Sequence, residues 1–328
     1  MMIKLKKMRR CSCDELIKAI DAYVTKADDD IERALRRSGF ANPKATRKQI
    51  TELEEELTRI LEEDTAFVVN IVNDYDDLRT IYNEAWPEIR DREHLTQRLS
   101  RRFEQTFSEI IPDYVDTYIK RTDPELSSLG LTHATTAWIQ DWSYELGELM
   151  RLTDNRQLEN ILDEGLRDGL SVQEVSEKIS DSGIRDPGYR ARRAATTEIL
   201  RAHNVAQQES FMQSPAVESK MWRHSGWREY SRQNHIDMDG QIVKKDEPFT
   251  LVGADGAVYY PMYPMDSMLP AGETINCGCI EQPIVSEDVL GLSLEERQRL
   301  QEEAIAELDE DFDRQLDEQN KRLRARSS

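Results

Sequence analysis

The chain has 328 residues, which exceeds one typical domain and predicts two. Charged residues make up 33% and hydrophobic residues 38%, a polar composition that still lies well short of a disordered one. The formal net charge is −20, and because a general nucleic-acid binder needs cationic surface, this balance argues against strong non-specific binding to nucleic acid.

The acidity has two interpretations. One is a high-salt cytoplasm, in which many carboxylates hold a hydration layer, so that the host would be a halophile. The other is simply a helix-rich, Glu-rich protein. Net charge bears on solubility and not on fold, so the choice between a bacterial and an archaeal host stays open.

No apolar run approaches the ~18 residues that a bilayer span needs, so we expect no membrane association. The basic segment Met1–Arg10 is not followed by an apolar region, and we expect no secretion signal. The four cysteines form two Cys-x-Cys pairs, Cys11/Cys13 and Cys277/Cys279. A reducing intracellular compartment is the default, so structural disulfides are not expected.

The N-terminal two thirds of the chain show an apolar period near 3.6 residues, which predicts helices. The first break falls at Gly39 and the Asn42-Pro43 pair, and Pro87 ends or kinks the second helix. The predicted helices cover residues 14–37, 46–86, 88–110, 113–120 and 132–152.

Capping signals mark the next two helices. Ser171 with Glu174 forms a capping box. Asp186 precedes a proline at the first helical position and predicts a long helix, Pro187 to about Gln213.

Prolines and turn dipeptides then replace the helical pattern. The segments Phe249–Val252 and Ala257–Tyr260 flank the turn Gly253–Gly256, which predicts a β-hairpin. A second turn is expected at Asp239-Gly240.

The expected fold is therefore α+β. A helical region, 1–185, precedes a small α+β module with the hairpin, 186–285, and an acidic helical tail, 286–328. Ser293 with Glu296 caps the tail helix, which is nearly all Glu, Asp, Gln and Arg and is expected to project or lie against a partner.

Four short sequence motifs occur in order within about a hundred positions. Arg193, Thr197, Glu198 and Asn204 lie on the long helix, followed by Trp222, then by Arg232, His235, Asp239 and Gly240, and finally by Asn276, Cys277 and Cys279. This order resembles the signature of the phage Mu F-like, or head-morphogenesis, domain of tailed phages, over about residues 190–283. Two features depart from the family: Gly278 stands where Arg is common, and no toxin-like domain follows.

The resemblance implies a minor head protein of low copy number and no enzymatic activity. The implied partner is the portal protein, with scaffold or major capsid protein as further partners. The implied location is inside the virion head near the portal vertex, after assembly in the host cytoplasm, and the protein would leave with the genome. The twelve motif residues would specify the fold and not react.

Cys277, Cys279 and His235 offer the donor types that suit zinc. Three residues are candidates for a fourth ligand: His203, His224 and Asp239. However, Cys-x-Cys is tighter than the usual ligand spacing, and the competing interpretation is that both thiols are small buried hydrophobes beside a strand. We favour that interpretation and expect no cofactor, with zinc as the alternative.

The competing function is enzymatic. A metal-dependent nuclease would use His203, His235, Asp237 and Asp239, and a transferase would use an Arg/Glu pair on the long helix. The spacing is not that of a tight metal site, and the acidic surface would repel DNA. We instead expect Arg232 and His235 to be buried and to orient the Asp239-Gly240 turn, with the arginine paired to Asp237 or Glu198.

Overall fold

The computed structural model describes residues 28–181, 187–224 and 231–326. It is mainly helical with small antiparallel sheets near the C-terminal end, which confirms the predicted fold class. Part of the predicted helix at 14–37 lies outside the described residues. Cys11, Cys13 and the expected cap Asp186 lie outside them as well. Within the described part of the chain, no helix combines the length and the apolar composition needed to cross a bilayer.

The described helices are α1 (Asp28–Ser38), α2 (Pro43–Asn73), α3 (Leu78–Thr80), α4 (Trp86–Arg90), α5 (Glu93–Thr122), α6 (His133–Asp168), α7 (Val172–Asp181), α8 (Pro187–Gln213), α9 (Gln233–Asp237), α10 (Ala271–Thr274), α11 (Glu287–Leu290) and α12 (Leu294–Arg326). A π-helical turn, Ile81–Ala85, joins α3 to α4. The strands are β1 (Val217–Arg223), β2 (Ile242–Lys244), β3 (Leu251–Val252), β4 (Val258–Tyr259) and β5 (Ile280–Val285).

Two prolines begin helices where the sequence had predicted breaks. Pro43 lies in the first turn of α2, where its missing N–H needs no partner, so that helix begins three residues earlier than expected. The same helix ends at Asn73, because Asp77 starts a new one by accepting the backbone N–H groups of Arg79 and Thr80, both at 3.0 Å. Pro87 lies in the first turn of α4.

Two other helices are longer than predicted. The segments expected at 88–110 and 113–120 form the single helix α5, with Pro112 inside it. Buried Ile111 and Val115 on either side of the proline hold the helix together, because their packing offsets the lost hydrogen bond. Helix α6 continues past the predicted end at Leu152 to Asp168, where Gly169 with φ +68° terminates it.

Helix α8 lies at the centre of the molecule, with the bounds that the sequence predicted. It packs against α2 and α5 on one side and against β5 on the other. The main hydrophobic core joins Leu57 and Phe103 of the helical region to Ile199, Trp222 and Cys279. This core therefore draws residues from both sides of the predicted domain boundary at 185/186, which itself stays a prediction.

The main sheet has the strand order β2-β1-β5 and is antiparallel throughout. Trp222 of β1 lies opposite Glu281 of β5, and a bulge interrupts this pairing near the start of β1. The predicted hairpin is confirmed by the pairing of Leu251 with Tyr259. The predicted second turn is confirmed as well, with Gly240 at φ +87°.

Both predicted capping boxes are confirmed, including the one that opens α12, where Ser293 Oγ lies 2.8 Å from Glu296 Oε2. The expectation that the tail helix projects or meets a partner is corrected for its first part, which packs on its own chain. Buried Arg297 binds Asp123 and Glu125, because an arginine removed from water needs such pairing. Further along, Asp309 accepts the backbone N–H of His133 at 2.7 Å.

Gly147 marks a close contact between α6 and α5. A Cβ atom there would lie 2.7 Å from the backbone oxygen of Thr96 and would also collide with Ser100. We therefore expect Gly147→Ala to lower the free energy of unfolding by about 1–3 kcal/mol, measured by chemical denaturation, because a well-packed contact does not absorb an added methyl group. Gly272→Ala is the matched control, since nothing lies within 4 Å of its Cβ position. Equal stabilities of the two variants would contradict this packing.

His203 of α8 is buried among the helices. Its Nε2 lies 2.9 Å from Thr46 Oγ1 and its Nδ1 lies 3.1 Å from Tyr118 Oη, while the ring stacks on Tyr114 with centroids 3.7 Å apart. Burial, with a smaller effect of the nearby Arg121 charge, holds the pKa of His203 well below its usual range.

This lowered pKa predicts acid sensitivity. Below about pH 6.5 His203 becomes protonated in the unfolded chain but stays neutral in the folded chain. The free energy of unfolding should therefore fall as the pH drops below that point. Denaturation of His203→Gln over the same pH range should give a shallower decline than the parent chain. Parallel slopes would show that His203 does not titrate in this way.

Candidate functional site

The motif residues lie on five different segments of the chain, and the structure brings most of them together around Trp222 and His235. Trp222 comes from β1, and its ring meets that of His235 edge-on with centroids 5.9 Å apart. Thr197 of α8 accepts the backbone N–H of Asn276 at 3.5 Å. Asn204, also on α8, donates to the carbonyl of Cys279 at 3.3 Å.

The centre of this arrangement is a buried group of one imidazole and two thiols, here called the His-Cys cluster: His235, Cys277 and Cys279. His235 Nδ1 lies 3.4 Å from Cys277 Sγ and 3.7 Å from Cys279 Sγ. The three residues are only 2–3% exposed. Within the described ranges, they form the one group of three or more potential metal-ligating side chains.

Glu273 orients the imidazole from its other edge. Its Oε2 lies 2.9 Å from His235 Nε2 and also accepts from Asn234 Nδ2 at 3.1 Å. Its Oε1 accepts the backbone N–H of Ala254, in the β3–β4 turn, at 2.9 Å. Sequence reasoning missed Glu273, because a single acidic residue in a short helix carries no distinguishing pattern.

Cys277 and His235 each shift the pKa of the other. The hydrogen bond with Cys279 and the neighbouring His235 hold the pKa of Cys277 well below its usual range, although burial opposes them. Burial alone would lower the pKa of His235, but the hydrogen bond and charge of Cys277 outweigh it and raise that pKa. A thiolate beside a ring nitrogen can form an ion pair or bind a cation.

Two side-chain amides fasten β5 to α8 behind the cluster. Gln207 Nε2 donates to the Glu281 carbonyl at 2.9 Å, and its Oε1 accepts the Glu281 backbone N–H at 3.2 Å. The second amide is that of Asn204, which binds the Cys279 carbonyl. The two amides thus supply hydrogen-bond partners that a further strand would otherwise supply to this backbone. Sequence reasoning missed Gln207, although a polar residue one turn after Asn204 on a fully buried helix was a usable signal.

A buried ion pair joins strand β1 to strand β5. Lys220 Nζ is 3.8 Å from Glu281 Oε1, and both side chains are fully buried. Burial raises the pKa of Glu281 to about 8 and lowers that of Lys220. Lys220 also donates to Gln208 Oε1 at 2.9 Å, so the ammonium group is not left unpaired.

Glu198 belongs to a separate network between α6 and α8. Its Oε2 accepts from Trp142 Nε1 at 2.8 Å and from Arg201 Nε at 2.9 Å. The expected pairing of Arg232 with Glu198 is therefore wrong, because neighbours on α6 and α8 bind this carboxylate. Arg232 is partly exposed and donates to the Ile275 carbonyl at 2.8 Å.

The proposed fourth ligands do not join the His-Cys cluster. His203 lies in the helical core against Thr46 and Tyr118. The backbone N–H of His224 donates to Asp239 Oδ1 at 2.9 Å, in the exposed turn beyond β1. Asp237 accepts from Gln233 at 2.8 Å. The His and Asp residues considered for a nuclease thus have separate partners.

The expectation that His235 orients the Asp239-Gly240 turn is wrong. Gly240 and Asp239 are held at the outer end of β1, where the Gly240 N–H donates to the Trp222 carbonyl at 2.9 Å. His235 bonds to Glu273 and to the cysteines and not to the turn.

Glu198 and Arg193 test the fold-specifying assignment as a matched pair on one helix. Glu198→Ala would leave Arg201 buried with its charge unpaired, so we expect a loss of about 3–5 kcal/mol in the free energy of unfolding. Arg193 is half-buried over the ring of Tyr189, so Arg193→Ala should cost less than about 1 kcal/mol. Chemical denaturation measures the free energy of unfolding of both variants. Similar losses would show that Glu198 specifies the fold no more than Arg193 does.

Comparison with known proteins places this site in a family. The family described as "Phage Mu protein F like protein" matches residues 156–281, from within α6 to the buried Glu281. The uncharacterized protein YqbB of Bacillus subtilis (strain 168) is 37% identical over 216 residues, which cover 63% of this chain and 70% of that protein. No solved structure matches the chain. The chain belongs to the phage Mu protein F-like family, whose members are phage head-morphogenesis proteins.

Proposed function

We propose that this chain is a minor structural protein of a tailed-virus head, present in few copies. The observation that carries the proposal is the family match over residues 156–281. The arrangement of the matched residues supports it, because Asn204, His235 and the two cysteines are buried and bonded to one another or to backbone. Such residues hold a shape in place.

The proposed partner is the portal ring, with scaffold or major capsid protein as further partners. The helical region would supply the contact surface. Helix α6 carries three large apolar side chains that are well exposed: Tyr144, Leu149 and Leu152. Exposed apolar groups on a helix are favourable contacts for a protein partner, and they support the helical region as the contact surface.

The proposed location is the interior of the virion near the portal vertex, with ejection alongside the genome. A net charge of −20 supports this, because an acidic protein stays off packaged DNA. The same acidity suits a halophilic host, although the proposal does not depend on it.

We further propose that the chain is not an enzyme. A substrate would have to reach the His-Cys cluster, whose side chains are almost completely buried. The nuclease alternative needs residues that the fold keeps in separate networks, around His203 and Asp239, and the Glu198 of the transferase alternative is already paired with Arg201 inside the protein.

Mass spectrometry of purified particles and of assembly intermediates tests this function. We expect the chain in heads that contain portal protein, at a ratio to portal that stays constant between preparations. Absence from both mature particles and intermediates would defeat the proposal.

A pair of surface variants tests the portal contact. Leu149→Glu places a charge on the exposed face of α6, whereas Ile242→Glu places the same charge on an exposed residue of the edge strand β2. We expect Leu149→Glu to weaken binding to purified portal ring about tenfold, which corresponds to about 1.4 kcal/mol. Ile242→Glu should bind as the parent chain does. Equal binding by both variants would exclude this face of α6.

A further inference from the structure

We propose that the His-Cys cluster is a zinc site, with His235 Nδ1, Cys277 Sγ and Cys279 Sγ as ligands. This inference concerns the stability of the module and goes beyond the proposed function in head assembly. It also reverses the expectation from sequence that the two thiols act only as small buried hydrophobes.

The distances between the donor atoms fit zinc. Tetrahedral zinc with bonds of about 2.3 Å to sulfur and 2.0–2.1 Å to nitrogen requires about 3.6 Å between a nitrogen and a sulfur ligand. The observed distances from His235 Nδ1 are 3.4 Å to Cys277 Sγ and 3.7 Å to Cys279 Sγ. All three donor atoms lie within 4.8 Å of one another. Both nitrogen–sulfur distances therefore suit a zinc ion with ordinary bond lengths.

Glu273 orients the His235 imidazole so that Nδ1 faces the two thiols. Its carboxylate faces Nε2 at 2.9 Å, so that nitrogen carries the proton and Nδ1 presents its lone pair to the thiols. A carboxylate on the far nitrogen of a histidine is the usual support behind a metal ligand.

The Cys-x-Cys turn is held in position independently of any ion. The Cys279 backbone N–H lies 3.4 Å from Cys277 Sγ, where it stabilises a thiolate. Asn276, just before the pair, has φ +60°, a left-handed conformation that costs a non-glycine residue free energy. Thr197 and Asn204 of α8 bind the backbone on either side of the turn. The two sulfurs are thereby aimed at one point.

The bound ion would join segments that have little apolar core of their own. His235 brings α9, the cysteines bring the start of β5, and Glu273 adds α10 and the β3–β4 turn through Ala254. Metal binding of this kind contributes directly to folding. Three protein ligands leave the fourth position to a water molecule or hydroxide.

Metal analysis of the full chain tests the proposal. The chain should be produced without a histidine tag, dialysed against a weak chelator and assayed by mass spectrometry for bound metal, with about one zinc per chain expected. Cobalt(II) added to the metal-free chain should produce the near-ultraviolet thiolate-to-cobalt charge-transfer band. Cys277→Ser and Cys279→Ser should each weaken that band and lose zinc.

The Glu273 carboxylate, which binds His235 and not the ion, provides a test that does not depend on losing a ligand. Glu273→Gln keeps the size of the side chain and should weaken zinc binding by about 10–100-fold in competition with a chromophoric chelator. The double variant Cys11→Ser with Cys13→Ser is the matched thiol control and should retain the metal. His203→Gln, a buried histidine with other partners, should retain it as well.

Three results would overturn the proposal. They are a folded parent chain that binds no zinc or cobalt after loading, a loss of metal in the Cys11/Cys13 control with retention in Cys277→Ser, and a Cys277–Cys279 disulfide in freshly purified chain. If the cysteine variants fail to fold, the cobalt spectrum of the parent chain and the zinc affinity of Glu273→Gln still test the proposal. The metal readout is independent of head assembly, so its failure would leave the proposed function standing.

Discussion

Burial of helix α8 on every side is the constraint on which the rest of the structure depends. All residues from Ala195 to Phe211 are buried, yet many of them are polar. A polar group removed from water must find a partner or cost the fold free energy. Several of these side chains therefore fix a neighbour: Glu198 binds α6 through Trp142, Gln207 binds the backbone of β5, and Glu209 accepts from Thr132 at the start of α6.

The position of the His-Cys cluster follows from that constraint. Asn204 and Gln207 hold the first residues of β5 against α8, which fixes the Cys277-x-Cys279 turn. The pairing of β1 with β5 then brings Trp222 against the ring of His235. The helical region and the α+β module share the main core, and a second apolar cluster around Leu78, Trp86 and Leu162 lies within the helical region alone.

An architectural function agrees with this distribution of polar residues. In an enzyme, the polar groups with perturbed pKa values would gather in an open cleft. Here Lys220, Glu281 and Cys277 are closed off from solvent and engaged with one another or with backbone. Three of the large apolar groups that remain exposed, Tyr144, Leu149 and Leu152, lie on helix α6, where a partner protein would cover them.

Local signals in the sequence determined the bounds of α8, both capping boxes, the β-hairpin and the order of motif residues that identifies the family. Each of these depends on neighbours only a few positions apart, so the pattern is complete within a short window. Only the tertiary structure decided the rest: helix α5 runs through Pro112, His203 lies among the helices and not with the His-Cys cluster, and Glu273 binds His235. These outcomes depend on burial and on partners at least 38 positions apart, which no local pattern encodes.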